Sequence, residues 1–590
     1  MEDRNLIPIG TGVHMIRLFL HQMNPTVGDT AQNAAKIAHG IERAKKFGAD
    51  IYLSPECALS GYPPEDLLFT RSFIDALKTA SDDLAAHTKG ITAIVGTPLM
   101  EDDLYNAALV FCDGQKIGAV KKTNLPNYGV FDENRYFQAG QKPVVLSMKG
   151  ATVGVTICED IWYPAGPARQ QALWGGAELI LNLSASPYHI GKASQRERML
   201  STRASDNGVF LAFVNLVGGQ DEIVFDGQSA VYSPSGEVLA RGLPFEEDFI
   251  VIDVNPDDVG LHRVRDPRRR VALRTETEAD VDEIKVPQIK SAAKESLPAR
   301  EITAPSPVEE VYRALVLGCR DYALKNSFRQ ALLGLSGGID SALTAALAVD
   351  ALGRDNVLGV TMPSRYSSEG SVSDSLELAR NLGIECLTLP IEKPFAAFLE
   401  TLGGVLAETK PGIAEENIQA RVRGTLLMAI SNKFGRLLLS TGNKSETSVG
   451  YCTLYGDMAG GFDLLKDVPK TLVYELARWR NEEAGRPLIP LSTLEKEPSA
   501  ELRPDQKDSD SLPPYEVLDP ILKVLVEDEG DLKPLIDKYG AETVNRVATL
   551  VDTNEYKRRQ APPGVRITPR AFGKDRRFPI TNRHKRLNSR

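Results

Sequence analysis

Three short segments in the first half of the chain carry side chains able to activate a thiol. They are Ser54-Pro55-Glu56-Cys57, Lys122-Thr123-Asn124-Leu125-Pro126 and Thr156-Ile157-Cys158-Glu159-Asp160. A carboxylate can accept the thiol proton, and a fixed ammonium can stabilise both the thiolate and a developing oxyanion. Taken singly, each residue has a plainer reading: Cys158 a small core residue, Glu56 a surface acid, Lys122 a solvated lysine beside Lys121. The second half offers a different chemistry. Gly334-Leu335-Ser336-Gly337-Gly338-Ile339-Asp340-Ser341 is a small-residue loop whose backbone N–H groups and serine hydroxyls suit a phosphate. It lacks the Lys-Ser/Thr ending of the common ATPase loop, which argues against γ-phosphate hydrolysis in that manner. Downstream, Ser440-Thr441-Gly442-Asn443-Lys444-Ser445-Glu446 and Leu454-Tyr455-Gly456-Asp457 hold carboxylates between glycine-rich turns, suited to magnesium and a nucleotide.

These groups need elements to aim them. Apolar runs predict strands at Ile16–Leu20, Ile51–Leu53, Ile91–Val95, Ala107–Phe111, Ala151–Ile157, Leu179–Leu183, Val209–Val214 and Phe249–Ile252. Helical spacing between several of them, as at Ala34, Ile37, Ala38 and Ile41, predicts a layered α/β domain. In the second half, predicted strands at Gln330–Leu333, Val357–Met362 and Leu437–Thr441 alternate with helices, which implies parallel strands with right-handed crossovers. Ligands of such sheets bind beyond the strands' carboxyl ends, where the loop at 334–341 and the turns after Met362 and Ser440 lie. The stretch 276–307 is rich in mixed charge and proline and reads as a linker.

The chain has 590 residues, too many for one core, with an ordinary soluble balance of 42% hydrophobic and 25% charged residues. No run approaches the length of a membrane helix, and the opening residues carry acids rather than an apolar signal core, so a cytoplasmic location is expected. Six scattered cysteines without a CxxC pair disfavour a disulfide framework or a zinc site. A net charge of −10 argues against general nucleic-acid binding, although the segment from Lys557 onward is basic.

With their flanking residues, the three amino-terminal segments resemble the Glu-Lys-Cys triad of the nitrilase, or carbon–nitrogen hydrolase, superfamily. The loop at Ser336–Ser341 resembles the pyrophosphate loop of the N-type ATP pyrophosphatases. Pro55–Leu67, Leu125–Glu133 and Asn182–Tyr188 look closer still to the glutaminase domain of the glutamine-dependent NAD+ synthetase family. The resemblance implies an α/β protein: a nitrilase-like αββα sandwich over 15–275, a linker at 276–307, and a Rossmann-like ATP pyrophosphatase domain with a parallel sheet over 308–590. Residues 1–14 are expected to be disordered. It also implies roles. Glu56 is the general base, Lys122 the oxyanion-side cation and Cys158 the nucleophile; Tyr128, Ser186 and Lys192 contact glutamine, and Glu133 assists or stabilises its turn. Ser336, Gly337, Gly338, Asp340, Ser341, Thr441 and Lys470 bind ATP, with Asp340 and Glu446 near Mg2+. Asn417, Glu446 and Lys557 contact deamido-NAD+; Asp457, Lys507, Asp508 and Asp510 are family-like without a settled role.

The implied reaction converts deamido-NAD+, ATP and L-glutamine into NAD+, with no nucleic-acid or membrane partner and a homo-oligomeric assembly. Because free ammonia is mostly protonated in neutral water, an enclosed path for it is also expected. Rival readings are another glutamine-fed synthetase, a tRNA-modifying enzyme with the same loop, and a regulatory nucleotide-binding protein with relic glutaminase motifs. Asparagine synthetases need an amino-terminal cysteine, whereas residue 2 is Glu2, and no Cys-His-Glu motif of the GMP synthetase kind occurs in the first half.

Overall fold

The computed structural model describes residues 15–289, 297, 300, 304–410, 412–504 and 506–584; the expected disordered terminus, 1–14, lies outside the described residues. The chain divides into two units. The first takes residues up to Pro187 with Gly191–Gly218 and Phe225–Ala304, and the second takes Tyr188–Ile190, Gly219–Val224 and the residues from Pro305 onward.

Two sheets build the first unit. One runs in the order Asp248–Val254, Ile16–Gln22, Ile51–Leu53, Thr92–Met100, Leu104–Cys112, Gln115–Lys121. The other runs Val238–Arg241, Ala230–Tyr232, Phe210–Asn215, Leu179–Ser184, Ala151–Ile157, Val144–Met148, Asp282–Lys285. Strand side chains alternate between faces, so one sequence feeds two cores. Leu18, Leu20, Ile51, Leu53 and Ile94 pack with Val153, Val155, Leu179, Leu181 and Val214 in a core shared by both sheets. The intervening Phe19, Tyr52, Ala93 and Val95 join Ile37 and Ile41 of helix Thr30–Lys46 and Phe73 and Leu77 of helix Arg71–Ala85. Ile180, Leu211 and Phe213 meet Ala168 and Ala172 of helix Pro167–Leu173 and Leu200 and Ala204 of helix Lys192–Asn207. The layering is αββα. Each aliphatic side chain so buried contributes about 1.5–3 kcal/mol, the term that sets the strand register.

The second unit centres on a five-stranded sheet in the order Glu385–Thr388, Val357–Thr361, Ala331–Gly334, Leu437–Ser440, Phe462–Asp463, with every pair parallel. Helix Ile339–Leu352 follows the loop and is apolar on nearly all sides, as a helix enclosed by its neighbours must be. A separate apolar cluster joins helices Tyr515–Leu522 and Ala541–Thr553 through Leu518, Ile521, Val544 and Val547.

The stretch read as a linker, 276–307, does not run free throughout. Asp282–Lys285 pairs in parallel with Val144–Ser147 at the edge of the second sheet. Its strand is short and mostly exposed, so it carries no apolar alternation to betray it.

Candidate functional site

In the first unit the chemistry-bearing side chains sit just past strand ends. Glu56 comes three residues after Leu53, Lys122 directly after Lys121, and Cys158 directly after Ile157. Cys57 and Cys158 adopt φ of 49° and 43°, a left-handed backbone that non-glycine residues rarely take and that turns the chain sharply at each site. Gly96 makes room for the first turn: a Cβ there would lie 2.2 Å from the Pro55 carbonyl oxygen and 2.8 Å from Glu56 Cα.

The Lys122 ammonium is wholly buried and bonds Glu56 Oε1 at 2.7 Å and Glu133 Oε1 at 2.8 Å. The solvated-lysine and surface-acid readings are thereby set aside. Glu56 also accepts from Asn106 Nδ2 at 2.7 Å and from the Ala185 N–H at 2.9 Å, and Glu133 accepts from the Tyr62 hydroxyl at 2.8 Å. Burial pulls against the Lys122 charge, but Glu133 and Glu56 outweigh it and hold the ammonium well above the ordinary lysine range. Burial pushes the Glu133 carboxyl up to about 7, with Lys122 opposing and Glu56 adding to the rise.

Burial, then the Glu56 charge, push the Cys158 thiol well above its ordinary value, with Lys122 pulling the other way. The resting nucleophile is therefore a thiol, and a base must take its proton during attack. Asp160 ties two of the loops together. Its Oδ1 accepts from the Thr123 and Asn124 N–H groups at 3.1 and 2.8 Å, and its Oδ2 from the Ile157 N–H at 3.1 Å.

The three residues expected to bind glutamine lie around this group. The Tyr128 hydroxyl donates to both Glu159 oxygens, at 3.0 and 2.9 Å. Lys192 lies 4.0 Å from the Trp162 ring centroid, and burial, with Arg196 adding, lowers its pKa to about 8. Ser186 is held on both sides by Asn215, which accepts its N–H at 2.8 Å and donates to its carbonyl at 3.2 Å.

In the second unit, Ser336 Oγ and Ser341 Oγ are 3.1 Å apart, and Ser341 also donates to the Gly338 carbonyl at 3.0 Å. Gly337 has φ of 76°, and a Cβ on it would sit 2.4 Å from the Ser371 carbonyl oxygen. Asp340, on the first turn of the helix, bonds Lys470 through Oδ2 and accepts from Asn443 Nδ2 at 3.0 Å. Lys470 reaches Glu446 Oε1 at 3.1 Å, and the Tyr515 hydroxyl donates to Asp508 Oδ2 at 2.7 Å while lying 3.3 Å from Glu446. Asn443 serves twice: its Oδ1 caps helix Lys444–Val449 by accepting from the Glu446 N–H at 3.0 Å. Burial raises the Glu446 carboxyl to about 7, with Lys470 opposing and Asp340 and Asp508 adding.

Not every expected residue joins this cluster. Asn417 accepts from Thr453 Oγ1 at 2.9 Å, and Lys557 donates to the Gly450 and Cys452 carbonyls at 2.7 and 2.9 Å, so both converge on 450–453. Asp457 accepts from the Thr453 N–H at 2.6 Å within the same turn. Thr441 follows strand Leu437–Ser440, two residues before Asn443. Of the trio near 507–510, Asp508 alone is bonded into the Lys470 cluster; Lys507 pairs with Glu497, and Asp510 accepts from Arg503 at 3.1 Å.

Sequence reasoning gives no role to Asn106, Tyr62 and Asp160 in the first unit, or to Asn443 and Tyr515 in the second. A polar residue within the apolar run of Leu104–Cys112 was the available signal for Asn106, since a buried amide must find partners.

Fold and site together define a carbon–nitrogen hydrolase unit joined to an NAD synthase unit. The carbon–nitrogen hydrolase family model matches residues 18–263, and the NAD synthase model matches 311–561. The glutamine-dependent NAD(+) synthetase of Thermotoga maritima is 48% identical over 97% of this chain and 99% of its own, and that of Aquifex aeolicus is 48% identical over 96% and 100%. A solved structure of the Acinetobacter baumannii glutamine-dependent NAD+ synthetase in complex with ADP is 40% identical, covers 96% of this chain and 99% of its own, and superposes with a TM-score of 0.72. The chain belongs to the glutamine-dependent NAD(+) synthetase family.

Proposed function

We propose that this chain makes NAD+ from deamido-NAD+, ATP and L-glutamine, releasing AMP, pyrophosphate and glutamate. The observation that carries the reading is the presence in one chain of a buried Cys158 coupled to Glu56 and Lys122 and of the Ser336–Ser341 loop with its Asp340–Lys470–Glu446 cluster.

In the glutaminase step, Cys158 Sγ attacks the side-chain amide carbon of glutamine while Glu56 takes the thiol proton. The oxyanion that forms lies on the side of the Lys122 ammonium, whose two carboxylate partners keep it charged and fixed. Glu56 returns its proton to the leaving nitrogen, ammonia departs, and a γ-glutamyl thioester remains. Water, deprotonated by Glu56, then attacks the thioester; glutamate leaves and the proton returns to sulfur. Tyr128, Ser186 and Lys192 hold the amino-acid end of glutamine, with the Lys192 ammonium facing its carboxylate.

In the synthetase step, the nicotinate carboxylate of deamido-NAD+ attacks the α-phosphorus of ATP, and the P–O bond to pyrophosphate breaks. Ammonia then attacks the acyl adenylate and AMP leaves, giving the amide. Ser336, Gly337, Gly338, Ser341 and Thr441 receive the phosphates, Lys470 offsets their charge, and Asn417, Glu446 and Lys557 hold the dinucleotide. The residues fit a magnesium ion carried in with the nucleotide. Asp340 and Glu446, which share the Lys470 ammonium, are the hard oxygen donors that would hold the metal. When bound there, magnesium would neutralise charge on the departing pyrophosphate.

The test is NAD+ formation with glutamine and with ammonium, in the wild type and in Cys158→Ala. The variant is expected to lose the glutamine-driven reaction and keep the ammonium-driven one. Persistence of both overturns the Cys158 assignment, and no NAD+ from the wild type with either donor overturns the substrate assignment. All six cysteines are free thiols, which accords with action in a reducing cytoplasm. A homo-oligomeric assembly is part of the same proposal, tested by light scattering.

A further inference from the structure

Asn106 stands at the centre of the buried glutaminase group, and no step above uses it. It lies on strand Leu104–Cys112 and is wholly buried. Its Nδ2 donates to Glu56 Oε1 at 2.7 Å and lies 3.5 Å from Glu133 Oε2, while its Oδ1 lies 3.7 Å from Cys57 Sγ in a thiol hydrogen bond. Only one orientation of the amide suits these neighbours. Turned over, the carbonyl oxygen would face two carboxylates and the NH2 would face a thiol that is itself a donor.

We infer that Asn106 is a positioning residue for the glutaminase base, and that the Cys57 thiol locks its amide so that the N–H always points at Glu56. This inference rests on the reading of Glu56 as the base. A donor aimed at a carboxylate favours its ionised form, the form able to take the Cys158 proton. It also fixes the carboxylate's rotation, since Oε1 then receives Lys122 and Asn106 while Oε2 receives the Ala185 N–H. The other charged or titratable groups facing Glu56 are Lys122, Glu133, Cys57, Cys158, Glu159 and Tyr62. Of these, Glu133, Glu159 and any thiolate disfavour a second negative charge. Lys122 is shared with Glu133. The amide is therefore the neutral donor that keeps the base ready without adding a proton of its own.

The lock is built from the turn itself. Cys57 follows Glu56 directly, its φ of 49° turns its side chain back towards the strand carrying Asn106, and its burial keeps the sulfur protonated and able to donate. A serine at 57 would preserve the donor; an alanine would not.

The experiment measures glutamine-driven and ammonium-driven NAD+ formation between pH 5.5 and 9 for Asn106→Leu, Cys57→Ala and Cys57→Ser, with the ammonium rate in each preparation as the denominator. For Asn106→Leu, kcat with glutamine is expected to fall on the order of 10- to 100-fold with little change in KM, and the acid limb of kcat to move up. Cys57→Ala should move the same limb the same way by less, and Cys57→Ser should return it towards the wild type. A rate that falls with an unmoved acid limb in Asn106→Leu, or identical limbs for Cys57→Ala and Cys57→Ser, overturns the proposal. The Cys57 pair decides the matter if Asn106→Leu does not fold. Failure here leaves the Cys158→Ala result untouched, so the two readings fail separately.

Discussion

Replacing Lys122 by methionine keeps the length of the stem and removes the charge from a buried group of two carboxylates. Taking one partner from a buried ion pair commonly costs about 3–5 kcal/mol, because the other charge is left uncompensated. Here the penalty has an outlet. Glu133 titrates near 7 even with the ammonium beside it, so without Lys122 it takes a proton at neutral pH. The unrelieved part is then Glu56, which loses one donor and keeps two, Asn106 at 2.7 Å and the Ala185 N–H at 2.9 Å. One hydrogen bond to a charged group is worth about 1.5–3 kcal/mol, so the variant should lose about 2–3 kcal/mol at pH 8. The loss should shrink at lower pH, where the remaining ionised fraction of Glu133 is protonated. Calorimetry should show the first unit's melting temperature lowered by roughly 4–12 °C at pH 8 and by less at pH 6. The double variant Lys122→Met/Glu56→Gln, which has no stranded carboxylate at 56, should recover most of that difference. A single variant melting within about 2 °C of the wild type at pH 8, or a double variant no more stable than the single one, refutes the reasoning.

Three further outcomes are expected. Gly96→Ala should lower glutamine-driven synthesis by about a hundredfold and spare the ammonium-driven rate, because a Cβ 2.2 Å from the Pro55 carbonyl forces the Glu56 turn aside. Gly337→Ala should depress synthesis with either nitrogen donor, since its φ of 76° and the Ser371 carbonyl at 2.4 Å both exclude a side chain; equal rates with and without the methyl would remove the loop from the ATP site. With its pKa lowered to about 8, Lys192 loses its charge above that pH, so KM for glutamine should rise roughly tenfold between pH 7 and 9 while KM for ammonia, expressed as NH3, stays flat. A flat glutamine KM would count against Lys192 as the carboxylate's partner.

Much of this architecture was legible because buried strands announce themselves as apolar runs and the chemistry sits where such runs stop. Glu56, Cys158 and the Ser336 loop all follow runs of that kind. Gln115–Lys121, which delivers Lys122, is harder to see, since only Val120 in it is buried and Gly118 interrupts its few apolar residues. Asp282–Lys285, inside the stretch whose sequence reads as a linker, has a single apolar residue and no buried one. The site residues that escaped share another property. Asn106, Tyr62 and Asp160 work by completing hydrogen bonds to a neighbour's charge, and sequence spacing carries no record of which buried donor meets which acceptor. In the second unit, Asn417, Glu446 and Lys557 are expected to hold one substrate, and the sequence does not say what else they bond. Asn417 bonds the Thr453 hydroxyl and Lys557 the Gly450 and Cys452 carbonyls, a relation set by the tertiary path of the chain.

The protonated, buried state of Cys158 bears on how the protein ages. Oxidants and alkylating reagents react with thiolates at accessible sites, and this sulfur is neither ionised nor open in the resting chain. Peroxide and indiscriminate electrophiles should therefore react with it more slowly than with a cysteine held as a standing thiolate. The same property sets a rule for inhibitors. A warhead must first be recognised as glutamine, because the reactivity it needs is switched on only when a carbonyl arrives for Glu56 and Cys158 to act upon.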